Sequence, residues 1–182
     1  MGLQADALTV NPYLGLDSLG PFLAASRANG VGVFVLARTS NPGGADFQNL
    51  SVEGVPLYQR VARALAPLSE SLRGGSGWSN LGVVAGATYP AESEQLRQAL
   101  PHALFLVPGY GAQGGSLAAA LSPFVRGKTQ LEGGMINSSR GILFGNGPVA
   151  ASAALSVADW HRGLSERLEA ARRELAAAVA LR

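Results

Sequence analysis

The sequence predicts an α/β protein with a parallel β-sheet, on two observations. Short apolar runs of about four to seven residues, the usual length of buried strands, alternate along the chain with longer amphipathic stretches typical of helices. Polar and glycine-rich segments follow these apolar runs, as expected where parallel strands end at one edge of a sheet. Strict alternation of strands and helices favours right-handed crossovers between parallel neighbours.

Five apolar runs are predicted to form the strands. They span residues 7–10, 31–37, 81–87, 103–107 and 135–138. Helices are predicted between them, at 19–28, 56–72, 90–100 and 116–125, and an Ala-rich segment at 149–181 predicts one or two more. No linker or charged run divides the chain, so a single domain over residues 1–182 is expected.

Composition excludes several classes of function. At 182 residues and 47% hydrophobic, the chain can bury a sizeable core. Its 14 basic residues are Lys128 and scattered arginines, a pattern that gives little support to nucleic-acid binding. With no cysteine and with His102 and His161 far apart, a metal site is not expected. No signal peptide and no apolar run of about 18 residues is found, so no membrane association and a cytoplasmic location are expected.

Polar residues concentrate directly after the predicted strands. These segments are residues 11–15, 38–44, 87–92, 108–115 and 138–141. In parallel α/β folds, and especially in barrels, sites are built at the carboxyl ends of the strands. All five segments are therefore expected to line one mouth.

The three early segments each have two interpretations. Asn11 either lies at the mouth or simply forms a turn with the proline that follows it. Thr39 and Ser40 carry hydroxyl groups suited to the edges of a planar heterocycle, although a polar turn is equally compatible. The segment at 87–92 either lines the mouth or simply starts a helix, with Pro90 in the first turn.

The two late segments predict a phosphate site. In barrels a phosphate commonly sits on the loops after the last two strands, held by backbone N–H groups. Arg140 supplies a fixed cationic fork, Gly141 allows the backbone to approach closely, and Gln113 can donate its amide. The alternative is that both segments are glycine-rich connections without a ligand.

The segments "DALTVNPYLG", "LARTSNPGGADFQ", "GVVAGATYP", "VPGYGAQGG" and "INSSRGILF", in this order, resemble orotidine 5′-phosphate decarboxylases of the bacterial type 2 branch. The resemblance covers essentially the whole chain. It implies a TIM (β/α)8 barrel, represented here by about five β/α units that correspond to strands 4 to 8. It also implies a homodimeric carboxy-lyase of pyrimidine biosynthesis that converts orotidine 5′-monophosphate to UMP and CO2. The family uses neither a metal nor an organic cofactor.

The resemblance also implies roles for individual residues. Gln113 and Arg140 would hold the 5′-phosphate, helped by the backbone of Gly141. The loop containing Thr39 and Ser40 would contact the pyrimidine or ribose side. Asn11 would lie at the mouth after its strand.

The catalytic residues of the family have no counterpart in this sequence. The family uses a motif of Asp, any residue, Lys, any two residues and Asp, whereas the one lysine here, Lys128, lies in "RGKTQLEGG". Loss of CO2 leaves electron density on C6, which requires a nearby cation and a proton donor. Arginine is a poor proton donor because its pKa lies above about 12. The isolated chain is therefore expected to be inactive, with the strands that carry the motif missing from it.

Three hypotheses remain open. The chain could be the carboxy-terminal part of a decarboxylase that works once the missing strands are supplied. It could be a non-catalytic binder of phosphate or nucleotide that retains only the late loops. It could instead be an interaction fragment whose open sheet edges pair with another chain, since unpaired strand edges favour such pairing.

Overall fold

The structure is a computed structural model that describes residues 5–111, 113–145 and 155–180. Its strands are β1 (Ala7–Val10), β2 (Gly32–Arg38), β3 (Ser51–Val52), β4 (Val55–Pro56), β5 (Ser79–Ala85), β6 (Ala103–Val107), β7 (Val125–Arg126), β8 (Leu131–Glu132) and β9 (Gly134–Ile136). Its helices are α1 (Gly20–Asn29), α2 (Ala45–Gln48), α3 (Leu57–Ser71), α4 (Pro90–Ala99), α5 (Leu117–Leu121), α6 (Ser139–Phe144) and α7 (Val157–Ala180).

The main sheet contains five strands in the order β1-β2-β5-β6-β9, and every neighbouring pair is parallel. These are the five predicted strands, with ends that differ by up to two residues. Because the strands are parallel, their carboxyl ends meet at one edge of the sheet, as the sequence indicated. Within the described residues, β1 and β9 each pair on one side only.

The helices between the strands agree with the prediction at three of four positions. α1, α3 and α4 lie within one residue of their predicted bounds. The helix predicted at 116–125 is wrong in length, because α5 ends at Leu121. Pro123 has no backbone N–H to donate to a continued helix, and the chain instead enters the antiparallel ribbon of β7 and β8. That ribbon and the β3–β4 ribbon were not predicted, since their strands are only two residues long.

The Ala-rich segment forms a single long helix over its described part. α7 spans 24 residues, and residues 149–154 and 181 of the predicted segment lie outside the described residues. Most of its surface is open, since none of its residues is buried.

The core lies between the sheet and α1, α3 and α4. Alternate residues of the three central strands form the sheet's side of this core, among them Val33, Val35, Leu81, Val83, Phe105 and Val107. The helices contribute Leu23, Leu65 and Leu96, which are 8%, 0% and 0% exposed. Full burial of each such side chain stabilises the fold by about 1.5–3 kcal/mol. This packing fixes the positions at which the strands end.

The opposite face of the sheet is shaped by one glycine. Phe34 and Val84 are buried but lie outside the cluster of the helix side. A Cβ atom at Gly82 would lie 2.6 Å from a ring atom of Phe34, so only glycine lets this ring cover the neighbouring strand. Met135 on the edge strand β9 is 45% exposed on the same face.

Arg97 fastens the amino-terminal end of the sheet. Its buried guanidinium donates to five backbone carbonyls, those of Pro123 (2.7 Å), Leu100 (3.1 Å), Pro101 (3.1 Å), Ala103 (2.7 Å) and Gly133 (2.7 Å). Its central carbon lies 4.0 Å from the ring centroid of Phe105. Burial lowers the pKa of Arg97 to about 10, so the side chain still carries its charge at neutral pH.

Candidate phosphate-binding site

The loops that follow β6 and β9 enclose a cavity at the carboxyl edge of the sheet. It is lined by residues 108–110, Gln113 and residues 137–141, and has a volume of about 100 Å³. A cavity of roughly 10–15 Å³ already holds one water molecule, so this one has room for a larger polar group. The structure therefore brings together the three residues predicted for phosphate, Gln113, Arg140 and Gly141.

Glycines determine the shape of the loop over residues 108–115. Gly109 has a φ of 98°, and a Cβ atom there would lie 2.8 Å from the Cβ of Ser40. The φ of Gly115 is not positive, but a Cβ atom at this position would lie 2.6 Å from the carbonyl oxygen of Gly109. Both positions require glycine for close contact between backbone segments. The glycine-rich pattern thus has a structural reason in addition to any ligand.

Arg140 presents its charge to the cavity. It lies in the first turn of α6, is exposed, and has no ion-pair or hydrogen-bond partner among residues 5–111, 113–145 and 155–180. A Cβ atom at Gly141 would lie 2.8 Å from Oγ of Ser138, so glycine leaves that hydroxyl space beside the cavity. The guanidinium is thus available for an anion.

Tyr110 connects the cavity wall to α7. Its hydroxyl donates to Oε2 of Glu174 over 2.6 Å. Burial and the carboxylate of Glu174 raise the pKa of Tyr110 to about 12, so the hydroxyl keeps its proton at neutral pH. Sequence reasoning missed this pair, because the two residues are 64 positions apart and no local pattern connects them.

Ser40 lies next to the loop over residues 108–115. It is 9% exposed and packs against Gly86 and Gly109, two glycines whose missing side chains leave it room. Its carbonyl accepts a hydrogen bond of 3.1 Å from Oγ1 of Thr88. The predicted loop at 38–44 therefore contacts the wall of the cavity through Ser40.

Thr39 is held by Gln48 and does not line the cavity. Its backbone N–H donates to Oε1 of Gln48 (2.9 Å), and its Oγ1 accepts from Nε2 of Gln48 (2.9 Å). The same Oε1 accepts from the buried guanidinium of Arg38 over 3.1 Å. Arg38 also forms an ion pair with Glu92, which ties this loop to the start of α4.

The side chain of Asn11 caps a local turn. Its Oδ1 accepts from the backbone N–H of Tyr13 over 3.0 Å and caps the 3₁₀ turn Pro12–Leu14. It lines a second cavity with mainly apolar neighbours, including Leu36 and Phe47, that shares no lining residue with the phosphate cavity. The structure therefore does not bring Asn11 to the residues predicted for phosphate.

The remaining titratable candidates lie away from the cavity. Lys128 is exposed on the turn between β7 and β8, a ribbon that directly precedes β9 at the opposite end of the sheet. His102 is half-buried just before β6, and His161 is exposed on α7. Over the described ranges, no three His, Asp or Glu side chains gather as metal ligands. In the same part of the chain, every helix is too short or too polar to cross a membrane.

A parallel sheet with helices on its outer face, and a cavity in the loops after the last two strands, defines part of a TIM-barrel protein. The chain belongs to the orotidine 5′-phosphate decarboxylase / HUMPS family, whose model matches residues 2–155. The family inferred from the sequence motifs is thereby confirmed, as is the barrel fold class.

Individual relatives agree with this assignment. The chain is 44% identical over 159 residues to an orotidine 5′-phosphate decarboxylase of Rhodopirellula baltica, covering 86% of this chain and 51% of the relative. It is 51% identical over 144 residues to one of Halorubrum lacusprofundi, covering 78% and 49%. The solved structure of Leishmania donovani OMP decarboxylase superposes with a TM-score of 0.62 at 37% identity, over 88% of this chain and 58% of that one. The chain spans about half the length of the curated relatives it matches.

Proposed function

We propose that the cavity binds the 5′-phosphate of orotidine 5′-monophosphate or UMP, and that the chain contributes this phosphate-binding part to an orotidine 5′-phosphate decarboxylase. The observation that carries the proposal is the convergence of Gln113, Arg140 and Gly141 on one cavity. Membership of the family and the names of the curated relatives, orotidine 5′-phosphate decarboxylases, support the proposed reaction class, a carboxy-lyase that releases CO2 and leaves UMP.

The three residues supply complementary contacts. The guanidinium of Arg140 offers two parallel N–H groups to two phosphate oxygens, a charge-assisted geometry about twice as strong as a neutral hydrogen bond. The amide of Gln113 donates from the opposite loop. Gly141 lets its backbone N–H approach without a side chain in the way.

The pyrimidine side is assigned to the loop that follows β2. Ser40 supports this assignment, because it packs on Gly109 at the cavity wall. Thr39 is part of the same loop and is kept in place by Gln48. Asn11 remains a candidate for the outer edge of the mouth, beyond the apolar cavity that it lines.

The residues of this chain bind and orient the nucleotide but do not carry out its chemistry. The carbanion that forms at C6 needs a cation and a proton donor, which a lysine between two aspartates provides in the family. This sequence contains no Asp-X-Lys-X-X-Asp motif, and its only lysine, Lys128, lies at the opposite end of the sheet. We therefore expect no turnover by the isolated chain, and a homodimer of longer subunits as the active form.

A second candidate function is non-catalytic binding of a nucleotide. It is favoured by the combination of a formed phosphate cavity with the missing lysine and aspartates. The two candidates share the phosphate site and differ in turnover.

The test is a calorimetric titration of the chain with UMP. Arg140→Ala is expected to weaken binding by at least about tenfold, because a charge-assisted contact contributes roughly 1.5–3 kcal/mol. Arg126→Ala is the matched control, since Arg126 is exposed on β7 and far from the cavity. Equal affinity of Arg140→Ala and the control would exclude the site. A second assay adds a polypeptide that carries the lysine and aspartate motif and measures turnover of orotidine 5′-monophosphate. Turnover supports the decarboxylase, and its absence supports the non-catalytic binder.

A further inference from the structure

One face of α7 contacts both walls of the phosphate cavity. Arg167 and Glu174 are seven residues apart, which places them two turns apart on the same side of the helix. Arg167 contacts α6, which carries Arg140, and Glu174 contacts Tyr110 in the loop after β6. A single rigid element therefore touches both parts of the cavity.

Arg167 supplies hydrogen bonds that α6 lacks at its end. The last carbonyls of a helix have no partner within the helix. Nε of Arg167 donates to the carbonyl of Ile142 over 2.7 Å, and Nη2 donates to that of Leu143 over 3.1 Å. α6 has only six residues, and so short a helix is not stable by itself in water. Its geometry, and that of Arg140 within it, depends on this external support.

Glu174 fixes the other wall. Its carboxylate accepts the hydrogen bond of Tyr110, whose backbone belongs to the loop that carries Gln113. The carbonyl of Tyr110 in turn accepts from Oγ of Ser138, the residue just before α6, over 3.4 Å. The two walls are thus connected directly through Ser138 and indirectly through α7.

The docking of α7 depends heavily on these polar contacts. No residue of α7 is buried, so apolar packing contributes less than for α3 or α4. Two ion pairs of α7, Arg162 with Asp159 and Arg172 with Glu169, lie within the helix and do not contact the rest of the chain. Among the described residues, Arg167 and Glu174 are the side chains of α7 that hydrogen-bond to the rest of the chain.

From this arrangement we infer that Arg167 and Glu174 are positioning residues for the phosphate site, and that docking of α7 and binding of phosphate are energetically coupled. The inference rests on the proposed function, since it assigns a role at the same cavity. Coupling is reciprocal by thermodynamic necessity. An anion that holds Arg140 and Gln113 in place must stabilise the docked helix, and undocking the helix must weaken the anion's binding.

The experiment measures both sides of this coupling on the 182-residue chain. UMP affinity is determined by calorimetry, and amide hydrogen exchange reports the opening of residues 157–180 with and without UMP. Arg167→Ala is expected to weaken UMP binding about five- to 150-fold, the usual range of coupling between two sites. It is also expected to abolish the protection of α7 by UMP. Arg167→Lys restores one donor and should recover part of the affinity.

Arg172→Ala is the matched control, because it removes an arginine and a 2.9 Å ion pair from the same helix without touching α6. It should leave UMP affinity and the protection of α7 unchanged. Tyr110→Phe tests the second contact and should weaken binding in the same direction as Arg167→Ala.

The possible outcomes distinguish a failure of the inferred coupling from a failure of the proposed function. If the unmodified chain binds UMP and folded Arg167→Ala binds it equally well, the coupling is wrong and the phosphate site stands. If UMP binds but leaves hydrogen exchange in α7 unchanged, the coupling is likewise wrong. If the unmodified chain does not bind UMP while its circular dichroism shows a folded protein, the proposed function fails and the inference fails with it.

Discussion

The fully buried guanidinium of Arg38 forms an ion pair with Glu92, whose side chain remains 25% exposed. The pair joins the end of β2 to the first turn of α4, across 54 residues of sequence. The ring of Tyr89 covers the guanidinium at 3.6 Å from its centroid, and Gln48 accepts from it at 3.1 Å. Thr39 and Ser40 therefore directly follow a residue whose side chain is held in place by Glu92, Tyr89 and Gln48.

The unequal burial of the two partners predicts unequal effects of removing them. Glu92→Gln leaves a buried cation without its counter-charge and should lower the free energy of unfolding by about 3–5 kcal/mol. Arg38→Met leaves a carboxylate that water can reach, so it should cost less. Urea denaturation of both variants and of the double variant gives the comparison. Arg38→Met proving the more damaging of the two would contradict this account.

Gly109→Ala should destabilise the chain and also weaken UMP binding. The substitution forces alanine into a φ of 98° and brings its Cβ within 2.8 Å of Ser40. Gly54→Ala is the control, since it has a φ of 76° but nothing within 4 Å of its Cβ. A positive φ alone lowers the free energy of unfolding by an amount of order 1–3 kcal/mol, and Gly54→Ala should show only this loss of stability. A similar loss of stability and no loss of affinity in Gly109→Ala would argue against close packing of the two loops.

The raised pKa of Tyr110 predicts that the docking of α7 weakens at high pH. Its pKa is raised in the folded state to about 12, above the ordinary value of 10.0, so the folded protein holds this proton more tightly than the unfolded chain does. The stabilisation from its hydrogen bond is therefore complete below about pH 10 and is lost as the pH rises through about 12. Besides Glu174, the charged groups that line the cavities beside Tyr110 are Arg140 and Arg167.

A titration followed by tyrosinate absorbance measures this pKa. Tyr110→Phe should remove the late-titrating component and leave the absorbance of the other tyrosines in place. Hydrogen exchange of α7 in that variant should lose its dependence on pH between about 10 and 12, after correction for the intrinsic exchange rate. A titration identical to that of the unmodified chain would show that Tyr110 is not the late group.

Arg97→Met should be among the most destabilising single substitutions in the chain. It removes a donor from five backbone carbonyls, of which those of Leu100 and Gly133 keep a backbone N–H partner, and each carbonyl that is left buried and unsatisfied costs about 1–3 kcal/mol. Arg97→Lys restores a charge but not the planar fork, so it should recover only part of the loss. Arg63→Met on the exposed side of α3 provides the control. A urea midpoint for Arg97→Met close to that control would refute the bracing role.

Local patterns in the sequence were sufficient to predict the sheet. The strands were visible because buried parallel strands are continuous apolar runs, and consecutive strands usually lie side by side. Gln113, Arg140 and Gly141 could be assigned together because they follow the last two strands, whose carboxyl ends must be neighbours. These inferences need only spacing and residue type.

The contacts that hold the site could not be predicted in the same way. Tyr110 meets Glu174, and Arg38 meets Glu92, over sequence separations of 64 and 54 residues. Such pairs depend on how helices pack on the sheet, which periodicity does not report. The early end of α5 had a local signal in Pro123, although the short ribbon that follows it had none.

The two ends of the sheet are secured by different means. Arg97 clamps the amino end through carbonyls that every residue possesses, whereas the carboxyl end is assembled from glycines, hydroxyls and the particular side chains of its loops. Substitution of an exposed loop side chain such as Arg140 can therefore alter which ligand is bound without loosening the clamp. Heat tolerance and ligand choice thus become traits that a lineage, or an engineer, can change one at a time.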